Sequence, residues 1–305
     1  MENIVIISQN RPFLGAQIVH LPLINYLKAK YPQSKIHFFS KSKISKALLP
    51  LGSIEQVIIE QSKSHFLEEY RKINADLTIN LRKQSLWHFW VVALFGNGKK
   101  VGFSSTLTNL FYDQTSHNNV SIYRANNYLA LFGEELAHES TACKKQVCII
   151  PGAGQKHKIW DLNNYLQVAQ QIQKNYPDIE VVFLLGEKEA DYKHKLTQFT
   201  VHINMNLEQV YHCIGQSLLV VANDCGPSHL AHIQAVDMVS LFSNERLDAQ
   251  STIDEWYHKR TGAKLIQSDA HKSINTISVK KVIDDVEHLL TKSYQPAFNL
   301  RAQSA

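Results

Sequence analysis

Residues 220–231 read Val220-Val-Ala-Asn-Asp224-Cys-Gly-Pro-Ser-His229-Leu-Ala231. An apolar β-branched run stops at Asn223, a tight turn holds Gly226, and Pro227 stands where the first turn of a helix tolerates a proline. The free N–H groups of Gly226, Ser228 and His229 then point out of the helix start, where the helix dipole favours an anion. The same residues also suit a plain strand–turn–helix capped by Asp224. Either way the stretch is a βα unit, and similar units recur along the chain.

Asn3–Ser8 is a continuous apolar strand, followed by apolar positions at helical spacing over residues 16–30 (Ile18, Leu21, Ile24, Leu27). Further strands are expected at 36–39, 56–59, 76–81 and 100–103. Residues 134–146 carry no apolar period and read as a linker. The pattern restarts with strands at 147–151, 180–185, 218–223 and 238–242, and helices at 162–176, 187–199, 227–235 and 279–290. Continuous apolar strands argue for a parallel sheet covered on both faces, and βαβα order for doubly wound domains. The expected division is 1–140, 147–290 and a tail at 291–305. Ligands are expected at the carboxyl ends of the strands.

Bulk properties fit this. A chain of 305 residues suggests two domains at about 150 residues each, and it can bury about 75% of its unfolded surface without staples. Hydrophobic residues are 44% and charged residues 19%, which excludes wholesale disorder. Lys plus Arg number 32 against 27 Asp plus Glu, a net charge of +5. That suits an anionic substrate or membrane surface and is too weak to argue for nucleic acid. The four cysteines (Cys143, Cys148, Cys213, Cys225) show no CxxC spacing, so they give no zinc or thioredoxin-like signature. The start has no basic n-region, and the longest apolar stretch, Trp87–Phe95, is far short of the ~20 residues of a membrane span. These features lead to the expectation of a reduced, cytoplasmic setting.

Phosphate-loop motifs are absent, and no aspartate pair has the DxD spacing of a metal–diphosphate clamp. Protein cations and helix ends must neutralise any diphosphate. Cys148-Ile-Ile-Pro151-Gly-Ala-Gly154-Gln-Lys-His-Lys158-Ile-Trp160 ends a strand in a small-residue loop with cations. Close backbone approach at Gly152 and Gly154, with an ammonium at Lys156 or Lys158, suits a phosphate, although a solvated basic loop has the same composition. Leu184-Leu-Gly186-Glu187-Lys-Glu189 places carboxylates after a strand, where they suit ribose hydroxyls or simply the helix dipole. Arg82-Lys83 before the aromatic run 87–95 suits an anionic lipid headgroup. A core-facing helix with a basic start fits the same run.

Together the three strand ends resemble glycosyltransferase family 9, the bacterial heptosyltransferases: PGA…Lys158-x-Trp160, Gly-x-x-Glu, and NDxGPxHLA. Leu14-Gly15, His20-Leu-Pro22, Leu27-Lys28, Tyr31-Pro32, Asp76–Leu81 and Lys100–Phe103 match its framework, so the resemblance runs from residue 1 to about 290. It implies a GT-B-like α/β fold, with two Rossmann-like doubly wound domains facing a central cleft. It also implies metal-free, inverting transfer of a sugar, heptose, from an ADP-sugar to a lipopolysaccharide core acceptor, with no cofactor. The acceptor-binding domain is the first and the nucleotide-sugar domain the second, and the enzyme works at the cytoplasmic face of the inner membrane. Carried over residue by residue, Lys158 contacts donor phosphate. Asp224, Cys225, Gly226 and His229 cradle the diphosphate or sugar, beside the backbone of Gly152 and Gly154 already read as a phosphate approach, and Glu187, or second to it Glu189, holds the ribose. Arg82 and Lys83, read from their own chemistry rather than from the resemblance, are the acceptor-side candidates. Cys225 stands where the family carries Thr or Ser.

One departure bears on the chemistry. The family has Gly-Asp at the start of the first helix, its aspartate being the proposed base; here the pair is Gly15-Ala16. No carboxylate occurs from residue 3 to 54, while Arg11, Lys28, Lys30, Lys35, Lys41, Lys43 and Lys46 all do. His20, four residues on, is the substitute base expected by its pKa near 6.5, and Asp113 is a remoter one. His20 as an ordinary interface residue, and the chain as a silent homologue that binds nucleotide sugar or a partner, remain the alternatives.

Overall fold

The computed structural model describes residues 1–9, 11–51, 53–119, 121–136, 142–246 and 248–293. Two compact units result. The first comprises Met1–Ala137 with Asp254–His258, and the second His138–Ile253 with Lys259–Ala305. The return of residues 254–258 to the first unit has no counterpart in the sequence pattern. The linker expected at 134–146 lies partly outside the described residues, and its last three residues already belong to a strand.

Each unit is built on a six-stranded, all-parallel sheet. In the first, β1 (Asn3–Ile7), β2 (Lys35–Ser40), β3 (Gln56–Ile59), β4 (Leu77–Asn80), β5 (Lys99–Phe103) and β6 (Gln114–Ser116) lie in the order β3-β2-β1-β4-β5-β6. In the second, β7 (Lys144–Ile150), β8 (Glu180–Leu185), β9 (Thr200–Ile203), β10 (Ser217–Asn223), β11 (Asp237–Phe242) and β12 (Ala263–Gln267) lie in the order β12-β11-β10-β7-β8-β9. Numbered from its own first strand, the second sheet repeats the order of the first. In both, the order reverses between the first and fourth strands, β1/β4 and β7/β10. Such a switch point opens a crevice at the strands' carboxyl ends.

The apolar runs are buried as a two-sided parallel sheet requires. Ile4, Val5, Ile6 and Ile7 are fully buried, as are Val220, Val221 and Ala222. The second core packs β7, β8 and β10 against the helices Leu162–Asn175 and Val279–Ser293, through Tyr165, Val168, Ile172, Val282, Val286 and Leu289.

Two expected helices differ. Residues 16–30 do not form one helix: Leu14–Ile18 stops, Val19 and His20 intervene, and Leu21–Lys30 begins anew. Pro22 is the reason, since it lacks an N–H and its ring clashes with the carbonyl four residues back. Residues 187–195 form 3-10 turns rather than an α-helix. The aromatic run 87–95 does form a helix, Leu86–Phe95, with mixed exposure. His88, Phe89, Val91 and Val92 are buried, while Leu86, Trp90 and Leu94 stand out at four-residue spacing.

A buried ionic cluster ties the first sheet's carboxyl edge. Arg82 donates from Nε to the Ser8 carbonyl (2.6 Å) after β1, and its Nη1 and Nη2 meet Glu60, after β3, at 2.7 and 2.5 Å. His88 Nε2 lies 3.0 Å from the same carboxylate, and Ser85 Oγ 2.6 Å from His88 Nδ1. Burial alone would raise the Glu60 carboxyl, but hydrogen bonds from His88 and Arg82 outweigh it and hold it below the ordinary range. Removing one partner of such a buried pair strands the other charge. Glu60→Gln should therefore lower stability by about 3–5 kcal/mol, read as a fall in the denaturant midpoint. An unchanged midpoint would show that Arg82 finds water instead.

Candidate active site

The second unit's switch point gathers the residues that the sequence singled out. The loop after β7 carries Gly152, Gly154 and Lys158, and the loop after β10 carries Asp224 and Cys225 before the helix Gly226–Ile233. Lys158 Nζ and Asp224 Oδ2 are 2.6 Å apart across the crevice, both partly buried. Asp224 is thus an ion-pair partner and not the helix cap. The N-cap is Cys225, where the Ser228 hydroxyl accepts from the Cys225 N–H (3.3 Å) and donates to its carbonyl (2.7 Å). Burial pushes the Cys225 thiol up to about 12, so it stays neutral. His229 is buried in the helix's first turn.

Asn223 holds the two loops in register. Fully buried, it donates from Nδ2 to the Pro151 carbonyl (2.7 Å), while its Oδ1 accepts from the Trp160 N–H (3.2 Å) and the Tyr165 hydroxyl (2.9 Å). Sequence reasoning passed over it as the end of a strand. A carboxamide at a fully apolar strand end, where a buried amide must find partners, was the available signal.

Beside this crevice a cavity of about 650 Å³ is lined by Gly154, Lys156, Trp160, Asp161, Lys188, Glu189 and Lys195, among others. Of the two carboxylates after β8, Glu187 is exposed and Glu189 is buried. Glu189 packs against both glycine turns: a Cβ at Gly152 would lie 2.8 Å from its Cδ, and one at Gly186 2.9 Å from its Oε2. Glu189, and not Glu187, is thus the carboxylate enclosed between the glycine turns. The Gly-x-x-Glu spacing, counted from Gly186, lands on Glu189 and was the legible sign. Among the described residues no group of three His, Cys, Asp or Glu side chains is arranged to hold a metal ion.

The first unit's candidates fare differently. His20 is 1% exposed, stacked on Tyr128 (ring centroids 4.9 Å) and edge-on to Phe38 (5.1 Å). Its Nδ1 donates to the Gln17 carbonyl (3.0 Å), which leaves Nε2 as the unprotonated nitrogen, buried without a hydrogen-bond partner. A base must touch the hydroxyl it deprotonates, and here the His20 ring is enclosed. Ala16 is buried too, at 7%. Asp113 precedes β6 and binds the Lys100 N–H at 2.7 Å, at the amino end of the sheet, away from the ligand edge. Arg82 is buried and bound to Glu60 and Ser8, whereas Lys83 is exposed. The carboxylate that follows a strand at the ligand edge, Glu60, escaped the sequence reading because it lies just beyond the acid-free stretch.

The comparisons with known proteins agree with this architecture. The glycosyltransferase family 9 (heptosyltransferase) model matches residues 114–273, more than half the chain. The chain belongs to that family and is a glycosyltransferase of two Rossmann-like units. Its fold is similar to a family 9 glycosyl transferase from Veillonella parvula (TM-score 0.70, 18% identity, 96% of this chain and 98% of that one). It is also similar to Escherichia coli heptosyltransferase WaaC with ADP (0.69, 16%, 94% and 99%) and E. coli ADP-heptose lps heptosyltransferase II (0.65, 17%, 96% and 99%). At these identities the likeness is one of GT-B fold. No curated protein matches this chain by sequence.

Two outcomes test the site as described. Gly152→Ala should drive its new methyl into the Glu189 carboxylate and cost about 1–3 kcal/mol, with Gly152→Ala/Glu189→Ala recovering part of the loss; equal losses in both would place the strain elsewhere. His20 has its pKa lowered from 6.5 to about 4, chiefly by burial. The unfolded chain therefore binds a proton that the folded chain refuses. Stability is full above about pH 6.5 and falls as pH drops towards 4, by about 3 kcal/mol in all. An NMR titration should find the ring neutral at pH 5.5; protonation midway at 6.5 would contradict its burial.

Proposed function

We propose that this glycosyltransferase moves a sugar, heptose, from an ADP-sugar to a lipopolysaccharide core acceptor with inversion at the anomeric carbon. An acceptor hydroxyl attacks that carbon, the bond to the diphosphate breaks, ADP leaves and the hydroxyl proton passes to a base. The observation that carries the donor half is the Lys158–Asp224 pair, set at a strand-order switch point beside the start of the helix Gly226–Ile233. Arriving phosphate oxygens take Lys158 from Asp224 or share it, with the Gly152 and Gly154 backbone, the helix N–H groups and His229 beside them. Glu189 is the carboxylate set for ribose hydroxyls, displacing Glu187. WaaC was solved with ADP and with ADP-2-deoxy-2-fluoro heptose, which supports the same donor class here.

The acceptor half rests on the first unit. Lys83 leads into the helix whose Leu86, Trp90 and Leu94 stand exposed, and Phe111 lies 5.6 Å from Trp90, ring to ring. A cation followed by an aromatic and apolar stripe suits a lipid-linked acceptor at an anionic membrane surface. We place the protein peripherally at the cytoplasmic face of the inner membrane. Among the described residues no helix is long and apolar enough to cross a membrane.

A second reading keeps the donor and drops the transfer. Ala16 carries no proton acceptor, His20 is enclosed, and Glu60 is neutralised by Arg82. A placed base contributes about 10²–10⁴-fold, so transfer by the natural chain should be slow. Calorimetry with ADP-, UDP- and GDP-sugars, run with a product assay, separates the readings. ADP-heptose should bind, and Lys158→Ala should weaken it about 10-fold or more, as a charge-assisted hydrogen bond of about 1.5–3 kcal/mol requires. Product that forms in EDTA and faster in Ala16→Asp supports the enzyme. Donor binding without product in either protein supports the silent homologue, and no ADP-sugar binding would sink both.

A further inference from the structure

Two of the four cysteines meet in the second unit, on elements far apart in sequence. Cys148 is in β7 and buried; Cys213 is in the helix Leu207–Gly215 and half-buried. Their sulfurs are 3.6 Å apart with no bond between them. A disulfide is about 2.05 Å long, so closure moves them together by about 1.5 Å. The β7–β10 ladder shifts register between Ser217 and Leu219, beside the pair. Ser217 Oγ lies 3.1 Å from Cys148 Sγ and donates to the Cys213 carbonyl (2.7 Å).

The pair is chemically asymmetric. Cys213 reaches solvent, and Gln146 Nε2 points a donor at its sulfur from 3.4 Å. The Cys148 thiol lowers the Cys213 pKa below its ordinary value against the opposing effect of burial, with Gln146 and the Lys144 ammonium adding to it. Cys148 goes the other way: its hydrogen bond to Cys213 and its burial keep it a thiol. A solvent-reaching thiolate backed by an enclosed thiol is the arrangement of an attacking and a resolving cysteine.

We propose that Cys213 and Cys148 form a peroxide-responsive dithiol that closes to a disulfide joining β7 to the helix Leu207–Gly215. The Cys213 thiolate attacks one oxygen of hydrogen peroxide, the O–O bond breaks, and hydroxide leaves and is protonated to water, giving a sulfenic acid. Cys148 loses its proton as its sulfur attacks that of Cys213; the S–O bond breaks and a second water leaves. Two thiols are oxidised by two electrons and one peroxide is reduced to two waters. The inference is independent of the sugar chemistry.

The full-length chain treated with stoichiometric hydrogen peroxide should lose two of its four titratable thiols and the mass of two hydrogens. Sequenced cross-linked peptides should join Cys148 to Cys213, and dithiothreitol should restore both thiols. Cys148→Ser should leave Cys213 as a sulfenic acid that dimedone captures, and Cys213→Ser should give neither bridge nor adduct at Cys148. Retention of all four thiols, a bridge through Cys143 or Cys225, or no dimedone adduct on Cys213 in Cys148→Ser would overturn the proposal.

Discussion

The carboxamide of Asn223 sets the geometry of the second unit's crevice. Its side chain engages the Pro151 carbonyl, the Trp160 N–H and the Tyr165 hydroxyl together. Those three groups belong to the loop after β7 and to the helix that follows it. Without a group that both donates and accepts, three polar atoms would stay buried and unpaired, at about 1–3 kcal/mol each. With it, the loop returns to β10, so that Lys158 faces Asp224 and Trp160 sinks into the core. The pairing of a basic loop with an acidic strand end is therefore a consequence of one buried amide.

The first unit solves the same topological problem with charge. At its switch point Arg82 reaches back to Ser8 and across to Glu60, and His88 closes the cluster. The two crevices have the same strand order and differ in how their charges are exposed. In the second, the ion pair is part-exposed and at a ligand's disposal. In the first, the charges are spent on the fold.

The sequence carried most of this frame. Ile4–Ile7, Val181–Leu185 and Val220–Asn223 announce themselves as strands because both of their faces are covered. The edge strands β6, β9 and β12 did not, since QTS, TVHI and AKLIQ are half-exposed and read as loops. At the donor end, glycines, Lys158 and Asp224 were legible by type and spacing. Their pairing was not, because Lys158 and Asp224 are brought together by Asn223 across many residues. Arg82 looked like a free cation because nothing local reveals Glu60 as its partner, and His20 looked accessible because Phe38 and Tyr128 come from other elements. The break at Pro22 was written in the sequence, and helical periodicity concealed it.

Trp160 has one more consequence, for spectroscopy. Of the four tryptophans, Trp87, Trp90 and Trp256 fall in the first unit and Trp160 alone in the second. Its indole is fully enclosed, donates from Nε1 to the Ile277 carbonyl (3.2 Å), and stands edge-on to Tyr165. Its emission is thus blue-shifted and shielded from aqueous quenchers while the second unit is folded. With the other three tryptophans replaced by phenylalanine, fluorescence becomes a private channel for that unit, able to follow its melting separately from that of the first.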